Sequence, residues 1–337
     1  MTNVILALSL ILLLFPTVFS QNKTTHISKI EFFGTNGQSV DEIRKSLPYR
    51  EGDETSIDAI PETSALLKGA IKRATGSEPT EVATVCCDDG GLLIYIGLNR
   101  GVVPQFKYNP EPHGASRLPE KISELYQQIM DLTLVAIQQE GGKEKSNGFS
   151  LSTYPPLRAK QLALREYVLS SEPLVRHVLR VSADATQRAA AATALGYARQ
   201  SKDQMAALIH ASHDANDNVR NNAVRALAVL AASSAKSASQ ISPTDFVDML
   251  NSGTWTDRNK GAFLLEILSA TRDVRLLGEL RRRALQSLIE MARWRNPGHA
   301  NNPRTILGRV AGIEENRLAQ LVAAGNAEEI LQQVKKL

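Results

Sequence analysis

The segment Asp214–Leu230 constrains the fold of this chain of 337 residues more than any other part. Its apolar residues recur at spacings of three and four, which predicts an α-helix with a single apolar stripe. The stripe consists of Val219, Ala223, Ala226, Leu227 and Leu230. The two alanines in it leave room for another helix to approach closely.

The same frame recurs in three other places, and each copy has an arginine at the position of Arg220. These arginines are Arg188, Arg220, Arg258 and Arg304, at intervals of 32, 38 and 46 residues (220−188, 258−220, 304−258). A helix with one apolar stripe cannot bury it alone, so successive copies must share a core. The sequence therefore predicts a mainly α protein with an α-solenoid of helix pairs over residues 157–337.

Two of these copies carry a family resemblance. Residues 203–231, in which Asp214 and Asp217 precede Val219-Arg220, resemble a HEAT repeat, and residues 172–200 are similar. The resemblance weakens after residue 250. It implies a scaffold or adaptor that holds its partner on a continuous curved surface. It also implies that the repeated arginines have a structural role, in a polar ladder between repeats.

Residues 26–98 precede this region and read as a small α+β domain in the order β-α-α-β-β. Alternating residues predict a strand over 27–33, and Asp88-Asp89-Gly90-Gly91 between two apolar runs predicts a hairpin. The opening Ile27–Gly34 and the segment Ser39–Leu47 resemble a POTRA (polypeptide-transport-associated) domain. That resemblance implies binding of client chains along a sheet edge, although no alternating barrel strands follow here. A generic α+β accessory domain describes the segment equally well.

Three segments connect the two regions. Residues 99–117 are rich in glycine and proline and predict a linker. Residues 118–140 predict one amphipathic helix, whose apolar face is formed by Ile122, Leu125, Ile129, Leu132 and Ala136. Residues 141–156 are polar and predict an exposed loop.

The N-terminus reads as an export signal. Residues 4–15 are an unbroken apolar run, too short for a typical membrane span, and Val18 and Ser20 fit a cleavage site after residue 20. We therefore predict a signal peptide over residues 1–20 and a secreted or periplasmic protein. An uncleaved N-terminal membrane anchor is the alternative. Asn22 begins a glycosylation sequon, which has meaning only in a eukaryotic secretory pathway.

The sequence predicts no catalytic residue, no cofactor and no metal site. His210 and His213 are spaced for one helix face, but no third ligand accompanies them, which favours a structural or solvated pair. Cys86 and Cys87 are the only cysteines, and adjacent cysteines can bond to each other only through a strained ring. We therefore expect two thiols on opposite faces of a strand rather than a disulfide.

One basic cluster stands out on a chain whose formal net charge is only +4. Its members are Arg281, Arg282, Arg283, Arg293, Trp294 and Arg295. Arginine interleaved with an aromatic residue can bind an acidic protein surface, an anionic lipid or a nucleic acid. A solvated helix face with local ion pairs is the alternative. Export disfavours nucleic acid.

These features together predict an exported, non-catalytic scaffold that binds another macromolecule, most simply a protein, through the solenoid surface. Two alternatives remain open from the sequence. The protein could be an accessory protein or a lyase-like enzyme with a site in the solenoid concavity. It could also bind an anionic surface, such as a membrane, through the basic cluster.

Overall fold

The computed structural model describes residues 24–88, 90–99, 106–138, 143–146 and 148–336. Within these residues the protein is mainly helical, with a small mixed sheet of four strands near the N-terminus. None of the described helices has both the length and the apolar composition needed to cross a membrane. The predicted signal peptide, residues 1–20, lies outside the described residues.

The N-terminal unit has the predicted order of elements, with one short strand added. It consists of β1 Thr24–Phe33, α1 Asp41–Ser46, β2 Glu54–Ser56, α2 Ile60–Thr75, β3 Glu81–Asp88 and β4 Gly91–Gly97. The strands lie in the order β2-β1-β4-β3. Strands β1 and β4 are parallel, whereas β1–β2 and β3–β4 are antiparallel pairs. The crossover between β1 and β4 is long enough to contain both helices, as a parallel pair requires.

The sheet is buried on both faces, which explains why every residue of β4 is buried. One face packs on α1 and α2 through a cluster that includes Ile30, Leu67 and Ile96. The opposite face carries Phe33 and Tyr95, which belong to the large core of the helical region. The N-terminal unit therefore shares a core with the helices instead of standing apart from them.

Among the described residues, twelve α-helices follow the sheet. They are α3 Glu120–Gln138, α4 Pro155–Val181, α5 Ala185–Leu195, α6 Lys202–Ala211, α7 Asp217–Ser233, α8 Ala235–Ala238, α9 Thr244–Val247, α10 Trp255–Leu268, α11 Val274–Ala292, α12 Pro297–Val310, α13 Glu315–Ala323 and α14 Ala327–Val334. Several begin where a side chain caps the first turn, because the first N–H groups of a helix lack partners within it. Asp184 caps α5 in this way, and Asn216 caps α7.

Contacts between helices follow a regular scheme. In one row, α3, α5, α7, α10, α12 and α14 each contact the next member. Most members of that row also pack on the helix that precedes them in the chain: α4 on α5, α6 on α7, α11 on α12 and α13 on α14. Small residues allow the close approach. A Cβ atom added to Gly261 of α10 would lie 2.9 Å from Cβ of Met249, which belongs to the short 3-10 helix Asp248–Asn251 just before α10.

Two predictions for the connecting segments are corrected. The predicted loop at 141–156 contains an antiparallel hairpin, β5 Lys143–Ser146 and β6 Phe149–Ser152, and α4 begins within it at Pro155. The hairpin packs on α7, and Phe149 and Leu151 are buried, so the apolar residues of this polar segment decided its fold.

The described part of the predicted linker, residues 106–117, is docked on the helices. The Asn109 backbone N–H donates to the His213 carbonyl, and Gly114 forms a parallel bridge with Ser182. The Phe106 ring stacks on His213. The segment therefore connects the two regions while it is held against one of them.

Candidate functional site

Two of the repeated arginines form the same buried contact. Arg188 makes a bidentate ion pair with Asp214, the residue two positions before the cap of the next helix in the row, through two bonds of 2.8 and 2.9 Å. Arg220 does the same with Asp257, at 2.8 and 2.9 Å. Each guanidinium also donates to carbonyls five and six residues earlier. Arg188 thus joins the start of α5 to the segment just before α7, and Arg220 joins the start of α7 to the first turn of α10.

The ion pair between Arg220 and Asp257 is buried. Side-chain exposure is 3% for Arg220 and 0% for Asp257. Burial alone would lower the pKa of Arg220, but the hydrogen bonds and the charge of Asp257 outweigh burial and raise it. Removal of one partner would leave an unpaired charge in the core, which is far more costly than an exposed ion pair.

The other two repeated arginines, Arg258 and Arg304, do not form this bidentate pair with an aspartate. Arg258 donates to the Ser252 carbonyl, six residues earlier, but its acidic partner is Glu290 on α11 at 3.4 Å. Burial lowers the pKa of Arg258 to about 10, against the effect of that carboxylate. Arg304 has no acidic partner among the described residues and donates to the carbonyls of Ala292 and Trp294. Arg188, Arg220 and Arg258 each lie four residues after the N-cap of their helix (188−184, 220−216, 258−254), whereas Arg304 lies eight residues after the N-cap of α12 (304−296). The partners of the four arginines also differ.

The structure does not present the predicted basic cluster as one exposed surface. Arg283 pairs with Asp248 at 2.6 Å and with Glu279 at 3.1 Å. Arg282 also contacts Glu279, at 2.7 Å, and Arg293 pairs with Glu328 at 3.3 Å. Arg281 lies on the exposed side of α11. Local acids therefore neutralise much of the cluster, and partner binding by Arg281, Arg282, Arg283 and Arg293 stays a prediction.

The other two members of the cluster hold the N-terminal unit in place. Trp294 is 1% exposed, and its indole N–H donates to the Phe32 carbonyl of β1. Arg295 pairs with Glu31 at 2.9 Å and with Glu51 at 2.6 Å. The prediction of Trp294 as an exposed contact residue is therefore wrong, because the sheet covers it. The sequence could not show this, since the partners lie more than 240 positions away.

A groove lies between α4 and α6. It has a volume of about 450 Å³. Its lining includes Arg176, His177 and Arg180 from α4, and Ala206, Ala207 and His210 from α6. The exposed residues Leu174 and Leu169 extend an apolar surface along α4. A groove with an apolar floor and a few charged groups can accept a peptide segment or a small ligand.

The charges in this α4–α6 groove are only partly neutralised. Arg176 pairs with Asp203 at 2.9 Å and with Glu172 at 3.5 Å. Nε2 of His177 lies 3.0 Å from the Ser116 hydroxyl. Arg180 is exposed and forms no hydrogen bond or ion pair with any described residue. The groove therefore offers one free guanidinium beside an apolar floor.

Histidine and cysteine side chains are the candidate metal-binding or reactive groups of the sequence. Nδ1 of His213 lies 3.1 Å from the Lys107 carbonyl, and the His213 ring stacks on Phe106. These contacts hold residues 106–117 against the helices. No group of three or more metal-binding side chains occurs among the described residues. Cys86 is disulfide-bonded, contrary to the expectation of two thiols, and the chain contains one other cysteine, Cys87.

Sequence reasoning missed the contact between the sheet and the helices altogether. Tyr95 stacks on Trp255 with ring centroids 5.0 Å apart, and it packs edge-on against Trp294 at 4.9 Å. The composition could have pointed to this contact, since the chain has only two tryptophans and both pack on Tyr95. Large aromatic residues in a chain poor in them often form an anchor between elements.

No protein-family description matches the chain, and no curated protein is similar to it. Fold and geometry therefore define the protein only by class: a mainly helical protein whose small mixed sheet is docked on stacked helices.

Proposed function

We propose that this protein is an exported, non-catalytic scaffold that holds another macromolecule on stacked helical repeats of the HEAT type. The observation that carries the proposal is the repeated ion pair between Arg188 and Asp214 and between Arg220 and Asp257. A contact repeated with the same geometry ties neighbouring helix pairs together, as expected for a solenoid with one continuous surface.

A rigid surface suits a scaffold because little conformational freedom is lost when a partner binds. The buried ion pairs and the docked sheet both restrict movement between neighbouring elements. The N-terminal unit would then serve as a fixed second part of the binding surface, whether or not it belongs to the POTRA type. Export is proposed from the apolar N-terminal run, Val4–Phe15.

The α4–α6 groove is the place where we expect the partner, a protein, to bind. It combines the apolar Ala206 and Ala207 with the free guanidinium of Arg180. Apolar contact with a protein segment would supply most of the affinity, and the arginine would orient an acidic residue of that segment.

Site-specific crosslinking in the native envelope fraction tests this proposal. A photoreactive residue at Ala206, which is exposed in the α4–α6 groove, should yield one discrete adduct. The same residue at Lys68, which is exposed on α2, serves as the control. Equal adducts from both positions, or none from Ala206, would contradict a partner in this groove. Recovery of full-length protein that begins at Met1 in the cytoplasm would contradict export.

A further inference from the structure

The α4–α6 groove is bounded at one end by residues 109–114 of the docked linker. The Asn109 side-chain amide donates to the carbonyl of His210, in the last turn of α6, at 2.9 Å. The Gly114 N–H donates to the carbonyl of Val181, the last residue of α4, at 2.7 Å. Residues 109–114 therefore cross from the end of one helix to the end of the other. A chain that lies along the groove meets them at this bounded end.

Further backbone contacts hold residues 109–114 in place. The Asn109 N–H donates to the His213 carbonyl, and the Ala183 N–H donates to the Gly114 carbonyl, both at 2.7 Å. The two prolines of this segment also limit its freedom, because the proline ring fixes φ. Residues 109–114 are therefore a fixed wall at the bounded end of the groove.

The charged groups of the groove differ between its two ends. At the end away from the wall, Arg176 pairs with Asp203 at 2.9 Å. Arg180 lies one turn further along α4 and directly precedes Val181, so it belongs to the bounded end. Its guanidinium is exposed, and the exposed side chain of His210 lines the groove at the same end. The bounded end therefore offers a cation and an imidazole as donors to an anion.

Two features of the bounded end act against an anion, and the structure moderates both. The last carbonyls of a helix carry partial negative charge. Here the carbonyls of Val181 and His210 already accept hydrogen bonds from residues 109–114. Glu111, within that segment, is exposed to solvent and forms no ion pair with Arg180. The guanidinium of Arg180 is therefore available to a ligand.

The length of the groove limits how much chain it can hold. Asp203 and His210 line its two ends on α6, seven residues apart (210−203), which corresponds to about 10 Å along a helix axis. An extended chain advances about 3.3 Å per residue, so about three residues fit. The lining between the charged groups is apolar and includes Leu179, Ala206 and Ala207. The groove therefore suits about three apolar residues of a chain that ends at Arg180.

We propose that the α4–α6 groove binds the C-terminus of a partner protein, with the terminal carboxylate on the guanidinium of Arg180. A chain terminus needs no room beyond the wall formed by residues 109–114. Of the two termini, only the C-terminus carries the negative charge that a guanidinium binds through paired hydrogen bonds. This inference rests on the proposed function, because it names the part of the partner that enters the same groove.

Two peptide libraries test the proposal. Both contain hexapeptides whose last three positions vary among alanine, valine, leucine and isoleucine. One library has free C-terminal carboxylates, and the other has C-terminal amides. The purified protein is immobilised, and mass spectrometry identifies the peptides that it retains. We expect retention from the carboxylate library, and the best retained peptide should bind about tenfold or more tightly than its own amide.

Substitutions of Arg180 locate the carboxylate. Arg180→Gln should weaken binding of the retained peptide about tenfold or more and leave binding of its amide unchanged. Arg180→Lys keeps the positive charge and should retain part of the binding. Arg275→Gln is the matched control, since it removes an exposed arginine from α11, and it should leave binding unchanged. Because both arginines are exposed, the variants should melt at the same temperature as the wild type.

The proposal is overturned if the carboxylate library is not retained, if a retained peptide and its amide bind equally, or if binding survives Arg180→Gln. The crosslink from Ala206 in the native envelope fraction distinguishes such a failure from a failure of the proposed function. A discrete adduct without any preference for a free carboxylate means that the groove holds an internal segment of the partner. The absence of an adduct contradicts the groove as the partner site.

Discussion

The Tyr95 hydroxyl lies 2.6 Å from Nδ1 of His299, a residue 204 positions further along the chain. Burial lowers the pKa of His299 to about 4, and the charge of Lys260 acts in the same direction. Burial also raises the pKa of Tyr95. Both rings are therefore neutral, and the hydrogen bond between them joins β4 to α12 at the aromatic contact.

The protonation of His299 makes this contact sensitive to acid. Between pH 6.5 and about 4 the unfolded protein binds a proton at this histidine that the folded protein does not bind. The free energy of unfolding should therefore decrease as the pH falls through this range. Urea unfolding midpoints measured from pH 7 to pH 4 would show the decrease.

The control for this experiment is His299→Asn, whose amide oxygen can accept from Tyr95 but does not titrate. Other groups titrate equally in both proteins, so the difference between the two profiles reports on His299 alone. The variant should have the flatter profile. Parallel profiles for the two proteins would contradict a neutral, buried His299.

The buried ion pair between Arg220 and Asp257 provides a second prediction. Arg220→Ala should destabilise the protein by about 3–5 kcal/mol, because it leaves the carboxylate of Asp257 buried without its cation. Arg176→Ala is the matched control, since Arg176 pairs with Asp203 near the surface and should cost only about 0–1 kcal/mol. Chemical denaturation measures both. Equal losses of unfolding free energy in the two variants would show that the buried Arg220–Asp257 pair stabilises the protein no more than the exposed Arg176–Asp203 pair.

The apolar stripe of α7 provides a third prediction. Leu227 is fully buried, so Leu227→Ala should cost about 2–5 kcal/mol through lost burial and a residual cavity. Arg225, on the same helix, is half-buried, and Arg225→Ala should change stability by no more than about 0.5 kcal/mol. Coincident denaturation midpoints for the two variants would contradict the assigned helix face.

A fourth prediction concerns the basic cluster. Arg283→Glu would place a carboxylate beside Asp248 and Glu279, so we expect a stability loss of about 1 kcal/mol or more. Arg275→Glu makes the same charge change at an exposed position of the same helix without a described partner, and should cost no more than about 0.5 kcal/mol. Thermal melting of both variants measures the difference. Equal melting temperatures would mean that the Arg283 ion pairs are solvated and weak.

The ion pairs of Arg283 also affect how a binding experiment on the basic cluster is interpreted. Charge reversal at Arg282 and Arg283 should abolish capture of an acidic partner if those residues bind it. Because Arg283 is engaged in two ion pairs, a loss of capture counts as binding evidence only where melting shows that the variant remains folded. Arg282 is the more exposed of the two and gives the cleaner single variant.

The sequence alone predicted the features that depend on local periodicity. The helix Asp217–Ser233, the helix that buries Ile122 and Leu125, and the order of strands and helices before residue 98 all follow from spacings within a few turns or strands. The sequence also showed an arginine at the same place in α5, α7 and α10, because the residues around Arg188, Arg220 and Arg258 follow one spacing.

Tertiary structure decided everything that joins distant parts of the chain. The pairing of Arg295 with Glu31, the burial of Trp294 under β1 and the docking of Tyr95 against His299 all involve residues more than 200 positions apart. A charge or an aromatic ring has no periodic pattern that identifies its partner, so the sequence could only mark these residues as unusual.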